Sequence, residues 1–408
     1  MSKLQVRQQA TPDQERRGRI LAAMRATHWD LLLCALPSNV LLTTGYWPVV
    51  GLSFSLTSAD GTVRLLVPED EKELAESGWA DEIVTFEAAS LEKVMTAEEA
   101  IAPAFQKIAK RIANGPIGVA YEKEQTFQPA PYSSFNIYGD TVRSLAESAF
   151  KIREMHPADS TLQLLKKVKT QREVDLIRRS CSVTSAAFLE GSQSIGAGTS
   201  ELEIAGNFRR LLLAKAGAIA ESSRVEGFAW AMSGPNSALA SRAYAQSRAR
   251  FLRTGDLALV HCNSSVDGYW TDITRTYHVG PSHEKAREIH EAVLAARQAA
   301  LAAIRPGVKA SDVDRAAREV LQQRGFGPEF KHPTGHGVGF AAISGYEPPH
   351  IHPESAELLE PGMTFNVEPA VYVNGFGGVR HCDMVAVTST GFELLTPFQS
   401  ELEELCLK

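Results

Sequence analysis

The chain has 408 residues, 44% apolar and 22% charged, and at about 150 residues per domain that length predicts two domains, each able to bury a core. Lys and Arg number 42 and Asp and Glu 48, a net charge of −6, which argues against nucleic acid as a partner because that binding needs a cationic face. No apolar run approaches the roughly 18 residues of a bilayer span, and five scattered cysteines read as reduced thiols, not as a disulfide framework.

The polar start MSKLQVRQQATPDQERRGRI has no apolar core of a leader, so a cytoplasmic protein is expected. Asp30 to Leu36 is an apolar run closed by Pro37 and predicts a buried strand. Leu52 to Leu56 and Val63 to Val67 flank Ser58-Ala59-Asp60-Gly61, a hairpin signal. Leu91 to Ile112 has helical spacing with a break expected at Pro103, and Asn114-Gly115-Pro116 is its stop. Ile117 to Tyr121 is the next strand. Together these predict a smaller α/β domain over residues 1–158, with a linker around Met155 to Ser160. Lys166-Lys167-Val168-Lys169 reads as a solvated linker or helix face.

Residues 159–408 carry helical patterns at Val174 to Leu189, Ser200 to Gly217, His283 to Ile304 and Ser311 to Arg324. Leu211-Leu212-Leu213 reads as helix core. Strand-like runs follow at Leu257 to Val260, Ile273 to Val279, Met363 to Val367 and Met384 to Thr388. Helices first and strands last predict an α+β domain, its helices on one face of a curved antiparallel sheet.

Polar residues interrupt these strands. Asp272 follows Tyr269-Trp270-Thr271, Glu368 follows Phe365-Asn366-Val367, His261 and Cys262 follow Leu257 to Val260, and Cys382 and Asp383 precede Met384. A buried carboxylate is costly unless paired or metal-bound. One such residue is ordinarily a salt bridge at a sheet end. Two carboxylates and a histidine on separate strands point to a metal ion instead. His332-Pro333-Thr334-Gly335-His336-Gly337-Val338-Gly339 is poor helix material, and its glycines allow close approach of backbone and ligand. It matches neither GxGxxG nor a phosphate loop with its lysine. A turn with incidental histidines is the plain alternative. His350 and His352 read equally as cleft lining or surface turn.

These segments resemble the creatinase, prolidase, aminopeptidase P and methionine aminopeptidase superfamily of the pita-bread fold. The resemblance rests on Ser233-Gly234-Pro235-Asn236, Gly268 to Thr276, His332 to Gly339, Glu360 to Pro369 and Gly377 to Asp383. They occur in the family's order, across roughly residues 160–400. Asn39 to Gly45 is similar to the creatinase and prolidase N-terminal domain. The resemblance implies a pita-bread catalytic domain over 159–408, a homodimer and a small peptide or amide substrate. In such a dimer Trp47 would reach the neighbouring subunit's cleft.

Family peptidases hold two metal ions with Asp, Asp, His, Glu and Glu. At those positions this chain carries His261, Asp272, His336, Glu368 and Cys382. The resemblance therefore implies one divalent ion, zinc before manganese or iron, because nitrogen and sulfur ligands shift preference that way. The family's shuttle histidine falls at Ser241, and its second histidine falls at Tyr346 after a short insertion. Glu368 is the expected general base, His332 or Tyr346 the oxyanion donor, Arg380 the carboxylate binder, and Tyr372 a further active-site position. This predicts an Xaa-Pro peptidase-like hydrolase. The alternatives are a creatinase-like hydrolase that uses no metal and a binding protein without catalysis.

Overall fold

The computed structural model describes residues 11–49, 52–88, 91–112, 115–122, 139–219, 224–242, 246–341 and 347–407. The chain divides into two compact units, Met1–Lys166 and Lys167–Lys408. No helix among the described residues is long and apolar enough to cross a membrane.

The first unit is built on one six-stranded sheet in the order β4-β3-β2-β1-β5-β6. Its strands are β1 (Leu31–Cys34), β2 (Phe54–Ser58), β3 (Val63–Pro68), β4 (Glu82–Phe86), β5 (Ile117–Tyr121) and β6 (Ile152–Pro157). The hairpin of β2 and β3 forms as its turn residues predict, antiparallel, with Gly61 at φ 92°. Strand β1 is buried along its whole length, which its unbroken apolar run requires. The next helix runs Ala97–Ile112. It starts six residues later than the spacing suggests, because Thr96 and Glu99 cap each other's backbone N–H groups. Pro103 lies inside it without ending it. Asn114 lies outside the described residues.

The expected linker is instead regular structure. Met155, His156 and Pro157 pair in parallel with Val119, Ala120 and Tyr121, and Asp159–Lys167 is helical. Pro157 is tolerated because β6 is an edge strand. The division between units falls at the far end of that helix.

In the second unit, helix Gln171–Gly191 opens on a complete capping box between Thr170 and Glu173. Its expected apolar face, Val174, Ile177, Cys181, Val183 and Ala187, is buried. Helices Glu201–Ile219, Glu284–Ala303 and Ala310–Gln323 follow. Leu211 and Leu212 are core, whereas Leu213 faces outward. The main sheet orders β18-β10-β8-β7, with β9 paired to β8. These strands are β7 (Val225–Ser233), β8 (Leu257–Val266), β9 (Tyr269–Trp270), β10 (Ile273–Val279) and β18 (Cys406–Leu407). Smaller sheets pair β11 (Gly335–His336) with β12 (His350–Ile351), β13 (Thr364–Val367) with β16 (Asp383–Val387) and β17 (Phe392–Leu394), and β14 (Ala370–Val373) with β15 (Gly377–Arg380).

The lysine run at 166–169 is not a solvated face. Lys169 is buried, and its Nζ lies 3.2 Å from Glu347 Oε1. A buried ammonium persists only with such a partner.

Candidate active site and metal centre

Strand register brings the polar positions together. Thr274 on β10 lies opposite His261 on β8, and on its other side bridges Cys382 between β15 and β16. Asp272 stands two residues before Thr274, at the end of the short β9 connection. From the facing sheet, Gly337 bridges Phe365 of β13, and the Glu368 N–H donates to the Thr334 carbonyl at 2.7 Å. His336 and Glu368 are thereby aimed at Asp272. His336 Nε2 lies 3.5 Å from Asp272 Oδ2 and 4.0 Å from Glu368 Oε1. Donor atoms of Asp272, Glu368 and Cys382 fall within 4.8 Å of one another. Glycine is required on both sides of His336. A Cβ on Gly335 would meet the Asn366 carbonyl oxygen at 1.9 Å, and one on Gly337 the Pro348 oxygen at 2.3 Å.

Asp272, His336, Glu368 and His261 line a cavity of about 280 Å³ together with Trp230, Arg242, His332, His350, His352 and Arg380. His261 stacks on Trp230 at 5.4 Å, with Nδ1 3.0 Å from Thr274 Oγ1 and 3.5 Å from Asp272 Oδ1. Arg380 Nε donates to the same Thr274 Oγ1 at 3.1 Å and lies 3.8 Å from Glu368 Oε2. The Cys382 thiol donates to the Asp272 backbone oxygen at 3.1 Å. Tyr372 on β14 reaches His332, Oη to Nε2 at 3.0 Å, and His332 Nδ1 lies 2.8 Å from the Pro333 oxygen. Both ring nitrogens of His332 are therefore engaged within the protein.

Electrostatics divide these groups. Burial opposes a charge on His336, but its hydrogen bond to Asp272 and the charges of Asp272 and Glu368 outweigh that and raise its pKa to about 9. Burial also opposes ionisation of Asp272, and His261, His336 and Arg380 overcome it, holding the carboxyl near 2. Burial raises Glu368 to about 7 against the pull of Arg380. Burial lowers His261 to about 3 and His332 to about 4, so both are neutral imidazoles. It pushes the Cys382 thiol well above its usual range, helped by Asp272 and Glu368.

The donor set fits one divalent ion. Asp272, Glu368 and Cys382 converge, and His336 Nδ1 lies 3.0 Å from the Gly337 oxygen. That bond fixes the tautomer whose Nε2 lone pair faces the carboxylates, as a ligand requires. The set does not fit two ions. Among the described residues only two carboxylates and one thiolate are present against four positive charges, and the Arg380 guanidinium and His261 imidazole stand beside them.

A family model of metallopeptidase family M24 matches residues 175–389, more than half of the chain. The chain belongs to metallopeptidase family M24. It is a hydrolase of the peptidase kind, and its family uses divalent metal ions. It is 29% identical over 392 residues to an Xaa-Pro dipeptidase of Pyrococcus furiosus, covering 95% of this chain and 99% of that protein. A probable dipeptidase, PepE, of Mycobacterium tuberculosis is 33% identical over 235 residues, 57% of this chain and 60% of that protein. The solved prolidase of Pyrococcus horikoshii OT3 superposes with a TM-score of 0.75 at 25% identity, over 95% of this chain and 99% of that one. The matched residues lie within the second of the two units described above.

Asp272, His336, Glu368, His261, His332 and Arg380 meet at the cavity, whereas Cys262, the neighbour of His261 on β8, is buried away from it. Tyr346 lies outside the described residues. Asp383 turns away from the cavity into a structural cluster: Arg275 Nη2 donates to it at 2.7 Å and Arg297 Nε at 2.5 Å. These two guanidiniums, with His381, overcome its burial and hold its carboxyl well below the usual range. Sequence reasoning missed Trp230 and Arg242 as lining residues. Trp230 was legible from alternation along Val225–Ser233, since His261 lies directly opposite it in the β7–β8 register. Arg242 had no such signal beyond its place after the lost histidine at Ser241. His350 and His352 line the cavity.

Proposed function

We propose that this chain is an Xaa-Pro peptidase working with a single divalent ion, zinc in preference to manganese or iron. The observation that carries the reading is the convergence of Asp272, His336 and Glu368 at one cavity, with the Cys382 donor atom beside the two carboxylates. Those four residues would hold the ion, and His261 would stand beside it without ligating. Bound there, a divalent ion polarises a carbonyl and acidifies water. Glu368 takes the proton of the attacking water, in the role of general base. His332, held by Pro333 and Tyr372, positions the Tyr372 hydroxyl. Arg380, anchored through Nε on Thr274, presents the rest of its fork to the substrate's terminal carboxylate. Tyr346 is the proposed oxyanion donor. The Xaa-Pro class is supported by the names of the relatives, which run the length of the chain. We further propose a cytoplasmic homodimer, which solution scattering tests: a monomer ends the dimer reading.

The direct test is hydrolysis of Ala-Pro and Ala-Ala by the zinc-loaded protein. Ala-Pro is expected to be cleaved faster, and Glu368→Gln to lower kcat by about 10²- to 10⁴-fold, the range of a lost general base. Equal rates on both peptides, or full activity in Glu368→Gln, would overturn the reading.

A further inference from the structure

Two guanidiniums line the cavity, and among the described residues only one of them has a carboxylate beside it. Arg380 is buried beside Glu368 and its charge faces both site carboxylates. Arg242 is exposed at the cavity wall. No carboxylate among the described residues lies within ion-pair distance of it. Its backbone is nonetheless well fixed. It closes the short helix Gly234–Ser241, its N–H donating to the Leu239 carbonyl at 3.0 Å. That turn is pinned in turn by Asn236 on the buried Glu201 and by Ser237 on the Gly378 N–H. An arginine on a hydrogen-bonded turn at a cavity wall, with no carboxylate partner among the described residues, can serve as an anion receptor.

We propose that Arg242 binds a second carboxylate, so that the preferred substrate carries an acidic side chain besides its terminal carboxylate. The inference rests on the Xaa-Pro reading above. In an Xaa-Pro dipeptide the terminal carboxylate belongs to proline, and the only variable side chain is that of Xaa; the substrate class is therefore Asp-Pro and Glu-Pro. The neighbouring histidines do not serve that end equally. His350 Nδ1 lies 2.9 Å from Glu357 Oε2, and His352 Nδ1 accepts from the Glu354 N–H at 3.1 Å. Arg242, by contrast, is exposed at the cavity wall with no carboxylate partner among the described residues. Because it is exposed, its attraction is screened by salt.

The test compares kcat/KM for Glu-Pro and for Gln-Pro, which differ by one charge at nearly constant shape. The wild-type protein is expected to prefer Glu-Pro by about tenfold or more, the worth of a charge-assisted hydrogen bond, and the preference should shrink as salt is raised. In Arg242→Ala the ratio should collapse towards about one, and in Arg242→Glu it should fall below one and favour Lys-Pro. Cleavage of both peptides with no preference, or a preference that survives Arg242→Ala, overturns the inference and leaves the peptidase reading intact. If neither peptide is cleaved, the peptidase reading fails. Calorimetric binding of Glu-Pro and Gln-Pro to the wild-type and Arg242→Ala proteins then decides the Arg242 site by itself.

Discussion

His336 carries the proton that a metal ion has to displace. Without metal its imidazolium pairs with Asp272, and its pKa of about 9 lies above the ordinary 6.5 of a free histidine. The pair therefore stabilises the metal-free fold fully below pH 6.5 and loses that contribution as pH rises through about 9. Metal uptake runs the other way, because each ligand must shed its proton. Glu368 is protonated below about 7, and the Cys382 thiol holds its proton well above its usual range. Apparent zinc affinity measured by competition with a chelator should rise steeply between pH 6 and 8, by more than about one decade per pH unit. Cys382→Ser should flatten the slope by close to one proton. An affinity independent of pH would contradict this assignment of ligands.

At the scale of elements, the site depends on how closely β11 lies against β13 and the segment after the insertion. Gly335 and Gly337 permit that approach, and the clash a Cβ would make at Gly335 is with backbone, which cannot swing away. Gly335→Ala should separate the two strands, turn His336 off Asp272 and lower Tm by several degrees. Its zinc content should fall to near zero while the far-ultraviolet circular dichroism stays native. Full zinc loading in this variant would show that strand approach does not place His336. The same scale explains what could be read in advance. Helix Gln171–Gly191 was legible because its apolar periodicity coincides with burial. Where long-range partners decide, the local pattern misled. Met155 to Pro157 is polar enough to resemble a linker, yet parallel pairing to β5 makes it a strand. Lys169 looks solvated until Glu347, far along the chain, is found against it.

Across the whole molecule, two compact units form from one chain, and the second gathers its site from strands more than 120 residues apart in sequence, His261 to Cys382. Motif order made that gathering legible, since the segments carrying Asp272, His336 and Glu368 kept their family pattern. The departures at His261 and Cys382 were visible too, but not their consequence. Only the geometry shows that Cys382 still faces Asp272 and Glu368 while His261 leans on Trp230 and Thr274. Arg242 escaped notice because only the fold places it at the cavity, with no carboxylate near it among the described residues.

The most direct measurement is the metal content of protein purified without chelator or histidine tag, by plasma mass spectrometry, alongside His261→Ala and Cys382→Ala. A single rebuilt centre predicts about one zinc per chain, kept in His261→Ala and lost or sharply weakened in Cys382→Ala. About two ions per chain, or none after incubation with excess zinc or manganese, would contradict it.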